Sequence, residues 1–401
     1  MKVLITSDLY FVKTNGVVTS LNNLADVLRK KGHEVRILTV SDKHKSYEVG
    51  DVSFIRSMPT WVYNGSIRMP TSYRHKLIKK IIEWKPDVIH SQCEFFSLSF
   101  AKYISKKTGA PIVHTYHTMY EDYVGYLFLI KRIGIWYARS KTKKVLERIA
   151  DAVIVPTEKV KNKHIENGVV CEFNVIPSGI DLEQHKNPIS SEERSRLREK
   201  YGLSDGDVVL LSLGRVAPEK NIDELINFYA RISKTDPALK LLIVGGGPAK
   251  EELEHQAREL SLEGRVVFVG MVEPDEVHKY YQLGDVFVSA STSETQGLTY
   301  IEAAANGLPL LCRRDPCLEG VIIEGENGYV YETEEQFYAR LNSMLSNSEM
   351  LRTAAEASRR IAEPYDKSVF GDSVERVYEA AIKKKAEQLS SGKKKDRVAS
   401  K

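Results

Sequence analysis

Two basic residues stand close together in a segment that follows an apolar run, and their spacing suits the binding of an anion. Arg215 and Lys220 belong to Gly-Arg-Val-Ala-Pro-Glu-Lys, which comes directly after the apolar run that ends at Leu213. Arginine makes bidentate contacts with phosphate oxygens and lysine supplies a point charge, so together they can stabilise a departing diphosphate without a divalent metal. A helix-start loop with surface ion pairs explains this segment equally well when it is taken alone.

Two glutamates, Glu294 and Glu302, lie in Ser-Glu-Thr-Gln-Gly-Leu-Thr-Tyr-Ile-Glu. A helix that begins near Gly297 would place Glu302 less than two turns from its start, so both carboxylates can face one crevice. Carboxylates accept hydrogen bonds from hydroxyl groups, and sugar and ribose hydroxyls are suitable donors. The alternative is structural, with one glutamate favouring the positive start of the helix and the other in solvent.

Two further residues follow apolar runs in the first half of the chain. Gly16 opens a segment of helical period, where its amide can approach a phosphate, although glycine there is often an ordinary turn. His117 follows the run Ile112-Val113 in the string His-Thr-Tyr-His-Thr-Met-Tyr. Its ring is useful for catalysis near neutral pH, but a loop histidine is more often only a hydrogen-bonding residue.

Short apolar runs alternate with segments of helical period along both halves of the chain, and the alternation restarts after the turn-rich segment 177–181. This pattern predicts an α/β protein of two Rossmann-like domains, each with a parallel sheet covered by helices. We place the domains at 1–180 and 181–365. A helix at 366–388 should return to the first domain, before a solvated basic tail at 389–401. Ligands of such sheets bind beyond the carboxyl ends of the strands, which is where the residues above lie.

The charge is distributed unevenly over the 401 residues, although the net charge is only +4. Residues 1–180 contain 28 Lys and Arg against 16 Asp and Glu, whereas residues 181–382 contain 22 against 36. A basic first half attracts an anionic membrane or a nucleic acid. No aromatic and basic platform for single strands is evident, so nucleic-acid binding is the less favoured reading. No apolar run approaches the length of a membrane span or a secretory signal, which predicts a cytoplasmic protein.

Segment 127–144 combines bulky apolar and aromatic residues with basic residues and has no acidic one. A helix of this composition can lie at the surface of an anionic bilayer. The alternative is an ordinary domain helix with an apolar core face and solvated lysines. The candidate membrane-binding residues are Lys131, Arg132, Trp136, Arg139, Lys141, Lys143 and Lys144.

The motif Gly-Arg-x3-Glu-Lys followed by Glu-x7-Glu, in the second of two Rossmann-like domains, resembles the retaining glycosyltransferases of family four. The resemblance extends over nearly the whole chain. It implies the GT-B fold, in which the two domains face each other across a cleft. It also implies that Arg215 and Lys220 bind the donor diphosphate, that Glu294 binds the donor sugar, and that Glu302 binds the ribose. Backbone contacts to the donor are implied for Gly16, Val272, Gly297, Leu298 and Thr299.

The strings HTYHTMYEDY and SETQGLTYIEA are similar to those of bacterial diacylglycerol glucosyltransferases. This narrower resemblance implies transfer of glucose from UDP-glucose to 1,2-diacylglycerol with an α-linked product. The resemblance to family four implies that His117 lies beside the donor sugar and acts with Glu294 in catalysis. The resemblance further implies that no metal or cofactor takes part. We expect peripheral attachment to the anionic inner face of the cell membrane, and no nucleic-acid partner.

Other readings remain open at this stage. Within the same family, the donor can carry galactose, mannose or N-acetylglucosamine. The acceptor can then be phosphatidylinositol, a glycolipid, a soluble sugar or a thiol. The remote alternative is a non-enzymatic nucleic-acid-binding protein.

Overall fold

The computed structural model describes residues 1–10, 15–60, 67–119, 121, 131–234 and 236–399, without the side chains of 131, 348 and 392–399. Part of the predicted membrane segment, 127–130, therefore lies outside the described residues. The chain forms two compact units. The first comprises residues 1–179 together with the segment that begins at Lys367, and the second comprises residues 180–366.

The first unit contains a mainly parallel sheet with helices on its faces. Its strands are β1 (Lys2–Ser7), β2 (Glu34–Ser41), β3 (Tyr47–Val49), β4 (Val52–Pro59), β5 (Arg68–Pro70), β6 (Val88–Ser91), β7 (Ile112–Thr115), β8 (Ala152–Val155) and β9 (Phe173–Val175). Its first five helices are α1 (Gly16–Lys30), α2 (Lys76–Trp84), α3 (Phe96–Thr108), α4 (Lys131–Arg148) and α5 (Glu158–Glu166). The strand order is β3-β4-β2-β1-β6-β7-β8-β9, with β5 paired to β4. Only β3 and β5 pair in the antiparallel sense among these described strands.

The second unit is a doubly wound sheet in which every described strand pair is parallel. Its strands are β10 (Val208–Leu213), β11 (Leu239–Val244), β12 (Val266–Gly270), β13 (Val286–Ser289), β14 (Leu310–Arg313) and β15 (Gly328–Tyr331). Its helices are α6 (Leu182–Lys186), α7 (Ser191–Lys200), α8 (Ile222–Ile232), α9 (Lys250–Glu259), α10 (Val277–Tyr281), α11 (Leu298–Ala305), α12 (Glu334–Leu345) and α13 (Ser348–Ala362). The order β12-β11-β10-β13-β14-β15 is the Rossmann order, which reverses direction between β10 and β13. The predicted class of two Rossmann-like domains is confirmed.

The strands of the first unit form short apolar runs because both faces of its sheet are covered. On β1, Leu4 packs into one core with Leu38 and Ile89. Its neighbours Val3 and Ile5 pack into a different core on the opposite face. Successive side chains of a strand point to opposite faces, so a strand covered on both sides needs apolar residues at every position.

The C-terminal helix α14 (Lys367–Ala399) covers one face of the first sheet. Val374 and Tyr378 pack into the same core as Val3 and Ile5. Gly371 lets α14 approach α1 closely, since a Cβ there would lie 2.3 Å from a methyl carbon of Val27.

The helix extends beyond its predicted end at 388, so the backbone of 389–399 is helical rather than a tail. Lysine and alanine favour helix, the segment has no proline, and Gly392 costs only about 1 kcal/mol.

Candidate active site

The loops that follow β10 and β13 form the centre of the candidate site in the second unit. These strands are neighbours at the point where the strand order reverses. Their carboxyl ends therefore release adjacent loops at one edge of the sheet, and a crevice opens between them. Arg215 and Lys220 are carried by the first loop, and Glu294 by the second.

Three side-chain contacts hold these two loops together. Lys220 Nζ donates to Glu294 Oε1 at 2.5 Å. The Ser293 hydroxyl donates to the carbonyl oxygen of Glu219 at 3.1 Å, and the Asn221 amide donates to that of Ala290, also at 3.1 Å. The structure thus brings together Lys220 and Glu294, which are 74 residues apart in the sequence.

Arg215 lies in the same loop with its side chain 60% exposed and its guanidinium 3.7 Å from Glu219. An ion pair with so much exposure contributes little to stability, so it leaves the guanidinium available to an anionic ligand.

The glycines after β11 allow the Arg215 loop to pack closely. A Cβ at Gly245 would lie 1.8 Å from the carbonyl oxygen of Gly214, and one at Gly247 would lie 2.0 Å from that of Val216. The Gly214 amide donates to Val244 at 2.9 Å and the Val216 amide donates to Gly246 at 3.0 Å. This glycine run therefore fixes the backbone on both sides of Arg215.

Helix α11 begins at the same edge with its amino end beside Glu294. Gly297 precedes it with φ +76°, and a Cβ there would lie 2.4 Å from the ring of Tyr300. Glycine is required for both reasons. The first turn, which includes Leu298 and Thr299, carries no acidic residue. Its positive dipole end is therefore suited to an anion such as phosphate.

Glu302 lies one turn further along α11, with a different partner from Glu294. Its carboxylate accepts a hydrogen bond of 2.7 Å from the Tyr281 hydroxyl. Burial raises the pKa of Glu302 to about 7, and the hydrogen bond from Tyr281 opposes this shift only in part. A carboxyl group with a pKa of about 7 is partly protonated at physiological pH, so it can both donate and accept hydrogen bonds.

The two other predicted donor contacts lie at the ends of strands or helices. Val272 is two residues beyond β12 and is half-buried against the core of the second unit. Gly16 is the exposed first residue of α1, in the first unit. Asn15 caps this helix, because its side-chain oxygen accepts from the Val17 amide at 2.8 Å.

In the first unit, polar residues gather at the carboxyl ends of β6 and β7. His117, two residues beyond β7, has its Nε2 atom 2.5 Å from the side-chain oxygen of Gln92. His114, on β7, has its Nε2 atom 3.1 Å from Glu94, and both side chains are buried. Burial lowers the pKa of His117 to about 4, so its ring is neutral at physiological pH. The geometry suits a hydrogen-bonding group that orients a ligand.

Asp8 was not identified as a candidate from the sequence. It directly follows β1 and accepts hydrogen bonds at this edge of the sheet. It is fully buried and accepts hydrogen bonds from the amide and the hydroxyl of Ser97, at 2.9 and 2.7 Å. It thus caps the start of α3, whose own N-cap residue, Phe95, makes no side-chain cap. Burial raises the pKa of Asp8 to about 6. Asp8 and Gln92 directly follow β1 and β6, and Glu94 lies three residues beyond β6, so the rule that ligands bind at the carboxyl ends of strands was the signal that could have found them.

Helix α4 exposes an apolar and aromatic face. The side chains of Ile133, Trp136 and Tyr137 are 56, 68 and 52% exposed. Arg132 and Lys144 are also exposed on this helix. A group of large apolar residues in solvent beside basic ones is typical of a surface that binds a partner or a membrane.

The other basic residues of α4 differ in their surroundings. Arg139 makes a two-nitrogen contact with Glu121 at 2.9 and 2.7 Å, and Lys143 donates to the carbonyl oxygen of Gly168 at 2.5 Å. The amine of Lys141 lies 4.4 Å from the centre of the Phe95 ring. Burial lowers the pKa of Lys141, while Glu94 and Asp8 oppose that shift. Lys141 therefore lies beside Phe95 and within the electrostatic influence of Glu94 and Asp8. The side chain of Lys131 lies outside the described residues.

Two kinds of feature are absent from the described ranges. No helix there has an apolar stretch long enough to cross a bilayer. In the same ranges, no three His, Cys, Asp or Glu side chains are grouped so that they could hold a metal ion.

Comparisons with known proteins identify the family. A model described as Glycosyltransferase Family 4 matches residues 14–184, and one described as Glycosyl transferases group 1 matches residues 193–361. An alpha-monoglucosyldiacylglycerol synthase of Streptococcus pneumoniae is 35% identical over 353 residues, which are 87% of this chain and 80% of that protein. The chain belongs to glycosyltransferase family 4. A synthase of the same name from Acholeplasma laidlawii is 32% identical over 401 residues, covering 97% of this chain and 100% of its own.

Solved structures show the same fold. Alr3699/HepE of Anabaena, in complex with UDP-glucose, superposes with a TM-score of 0.73 at 20% identity and covers 98% of this chain and 100% of its own. Sucrose-phosphate synthase of Thermosynechococcus elongatus gives a TM-score of 0.74 at 21% identity, covering 94 and 98%. The family resemblance and the GT-B fold predicted from the sequence are confirmed.

The raised pKa of Glu302 predicts a pH dependence of stability. The folded protein binds this proton more tightly than the unfolded chain, so the stabilisation is complete below about pH 4.5 and is lost as the pH rises through 7. Glu302→Gln cannot ionise. We expect its free energy of unfolding to fall less between pH 5 and pH 8 than that of the wild type, by roughly 1–3 kcal/mol.

Urea unfolding at the two pH values measures this difference. Glu251→Gln, which changes an exposed glutamate of α9, is the matched control and should follow the wild type. An identical pH dependence for Glu302→Gln and the wild type would show that Glu302 titrates normally.

Proposed function

We propose that the protein transfers glucose from UDP-glucose to the 3-hydroxyl of 1,2-diacylglycerol, forming α-monoglucosyldiacylglycerol. The observation that carries this proposal is the identity of 32–35%, over 87–97% of the chain, to two proteins named as synthases of that lipid. The structural likeness to HepE, which was solved with UDP-glucose, supports the choice of donor.

The donor would bind at the edge of the second sheet. Arg215, Lys220 and the amino end of α11 offer positive charge to the diphosphate, and Glu294 and Glu302 offer oxygens to the hydroxyls of the sugar and ribose. In the observed arrangement Lys220 and Glu294 neutralise each other. With donor bound, both side chains would keep their positions. Lys220 would contact the negatively charged diphosphate, and Glu294 would accept hydrogen bonds from hydroxyl groups. Such preorganised charges lower the barrier because they do not have to reorient during the reaction.

The reaction would proceed with retention at the sugar. The bond between C1 of glucose and the β-phosphate oxygen breaks, a bond from C1 to the oxygen of the lipid hydroxyl forms on the same face, and the hydroxyl proton passes to the departing phosphate oxygen of UDP. Arg215 and Lys220 stabilise the negative charge that develops on UDP, and for this reason we propose that no divalent metal is needed. His117, as a neutral hydrogen-bonding group, would help Glu294 to orient the sugar.

The acceptor is a lipid, so the protein must reach a membrane surface. The exposed face of α4, formed by Ile133, Trp136 and Tyr137 with Arg132 and Lys144, fits this role. Tryptophan and tyrosine favour the bilayer interface, and each nearby basic residue adds about 1 kcal/mol on an anionic surface. The excess of Lys and Arg in residues 1–180 acts in the same direction. We propose peripheral binding through this face.

A transfer assay tests the function. Purified protein is mixed with anionic liposomes that contain diacylglycerol, EDTA is added, and radiolabelled UDP-glucose, UDP-galactose and GDP-mannose are compared. We expect labelled lipid from UDP-glucose only, and none from liposomes that lack diacylglycerol. Free UDP without labelled lipid would contradict the acceptor, and lipid labelled from another donor would contradict glucose. Activity that disappears with EDTA would contradict metal independence.

The exposed face of α4 predicts which side chains the protein needs for membrane binding. Trp136→Ser removes the largest exposed apolar side chain of this face, whose burial in an interface is worth about 1.5–3 kcal/mol. We therefore expect binding to anionic vesicles, measured by sedimentation, to weaken about tenfold or more. Val170→Ser is the control, because Val170 is 82% exposed in the same unit but does not lie on α4. Equal losses in both variants, or no loss in Trp136→Ser, would rule out this face as the membrane contact.

A further inference from the structure

A buried histidine on β6 is held at both ring nitrogens. His90, on β6, is fully buried under α14. Its Nδ1 atom is 2.6 Å from the hydroxyl of Tyr378, and its Nε2 atom is 2.7 Å from that of Thr115. Two partners on opposite sides of the ring fix its orientation, since rotation would break both contacts. One of the partners belongs to the C-terminal helix, 288 residues away in the sequence.

The side chain of Gln92 rests on the face of this ring. Its amide nitrogen is 3.2 Å from both Nδ1 and Nε2 of His90. In the ring plane, a position equally close to both nitrogens would collide with the carbon between them, so the amide nitrogen must lie above the ring. An N–H group over an aromatic face is favourable, whereas an oxygen would meet the negative face of the ring. This contact sets which way the amide of Gln92 points.

The orientation of Gln92 in turn determines the hydrogen bond to His117. With its nitrogen over His90, the side-chain oxygen of Gln92 is directed to Nε2 of His117, at 2.5 Å. A carbonyl oxygen only accepts hydrogen bonds, so the proton of the neutral His117 ring must be on Nε2. Its Nδ1 atom is then an acceptor. The contacts that begin at Tyr378 thus fix both the position and the tautomer of His117.

We propose that Tyr378 of the C-terminal helix is a positioning residue for His117, acting through His90 and Gln92. Tyr378 does not touch the substrate. Its hydroxyl holds the His90 ring, the ring supports the Gln92 amide, and the amide orients His117. The catalytic part of this proposal rests on the proposed role of His117 beside the donor sugar, whereas the part that concerns the tautomer does not.

The C-terminal helix therefore has a second role besides covering the sheet. Without the Tyr378 hydroxyl, the His90 ring loses its hydrogen-bond partner at Nδ1 and keeps the Thr115 hydroxyl at Nε2, so the ring can tilt and the Gln92 amide loses its fixed support. A misplacement of a catalytic group by about 1 Å can reduce a rate by up to about a hundredfold. Tyr378 lies in the core of the first unit, so removing only its hydroxyl is the most selective change.

Tyr378→Phe is the test, with Tyr229→Phe as its matched control. Tyr229 is equally buried and also loses one strong hydroxyl bond, of 2.6 Å to the carbonyl oxygen of Leu239, but it lies in the second unit. We expect Tyr378→Phe to lower kcat about tenfold with the KM for the donor within twofold. In ¹⁵N-labelled protein without substrate, the ring nitrogens of His117 should shift toward a mixture of tautomers. Tyr229→Phe should leave both quantities unchanged.

Unchanged His117 nitrogen signals in Tyr378→Phe would overturn the proposal, and so would an equal loss of kcat in the control. If Tyr378→Phe fails to fold, Thr115→Val removes the other partner of His90 at constant volume and should give the same two changes. The NMR measurement needs no substrate. A wild type that makes no glucolipid would therefore refute the proposed function and leave the test of Tyr378 intact.

Discussion

The ion pair between Lys220 and Glu294 exists because β10 and β13 are neighbours at the point where the strand order reverses. Both side chains are largely shielded, with 21 and 18% exposed. Shielding two charges from water is costly, and their attraction often does no more than offset that cost. The pair is therefore weak evidence for stability. Its position at the point where the strand order reverses favours the proposed function, in which Lys220 would contact the phosphate and Glu294 would accept hydrogen bonds from the hydroxyls of the donor.

Other residues of the second unit fix the shape of the loops at this edge of the sheet. Glycines after β11 let the Arg215 loop pack against its neighbour, and Gly297 gives α11 its tight start beside Glu294. In the first unit, other residues play the corresponding part at the carboxyl ends of the strands. Asp8 at the end of β1 caps α3, and the residues after β6 and β7 form the cluster around His117. In both units a regular sheet fixes where loops emerge, and a few close contacts fix their shape.

The sequence predicts well the features that depend on neighbours in the chain. Arg215, Lys220, Glu294 and His117 could be named because each follows an apolar run, and the two-domain class follows from the alternation of such runs. Strand β4 was not predicted because its eight residues mix polar with apolar side chains, and β14 was not predicted because it has only four residues.

Contacts between segments that are far apart in the sequence were also not predicted. No local pattern shows that Tyr378 meets His90 or that Lys141 turns inward onto Phe95. The length of α14 was underestimated because its last turns carry basic residues without an apolar period, although their helix propensity is high.

A double-mutant cycle on Lys220 and Glu294 measures whether the two side chains act as one donor site. The value of kcat/KM for the donor is measured for the wild type, Lys220→Met, Glu294→Gln and the double variant. If the pair forms one preorganised donor site, each single variant loses activity and the double variant loses less than the sum, with a coupling energy of about 0.5–3 kcal/mol. Losses that add to within about 0.5 kcal/mol, or single variants with full activity, would contradict the account.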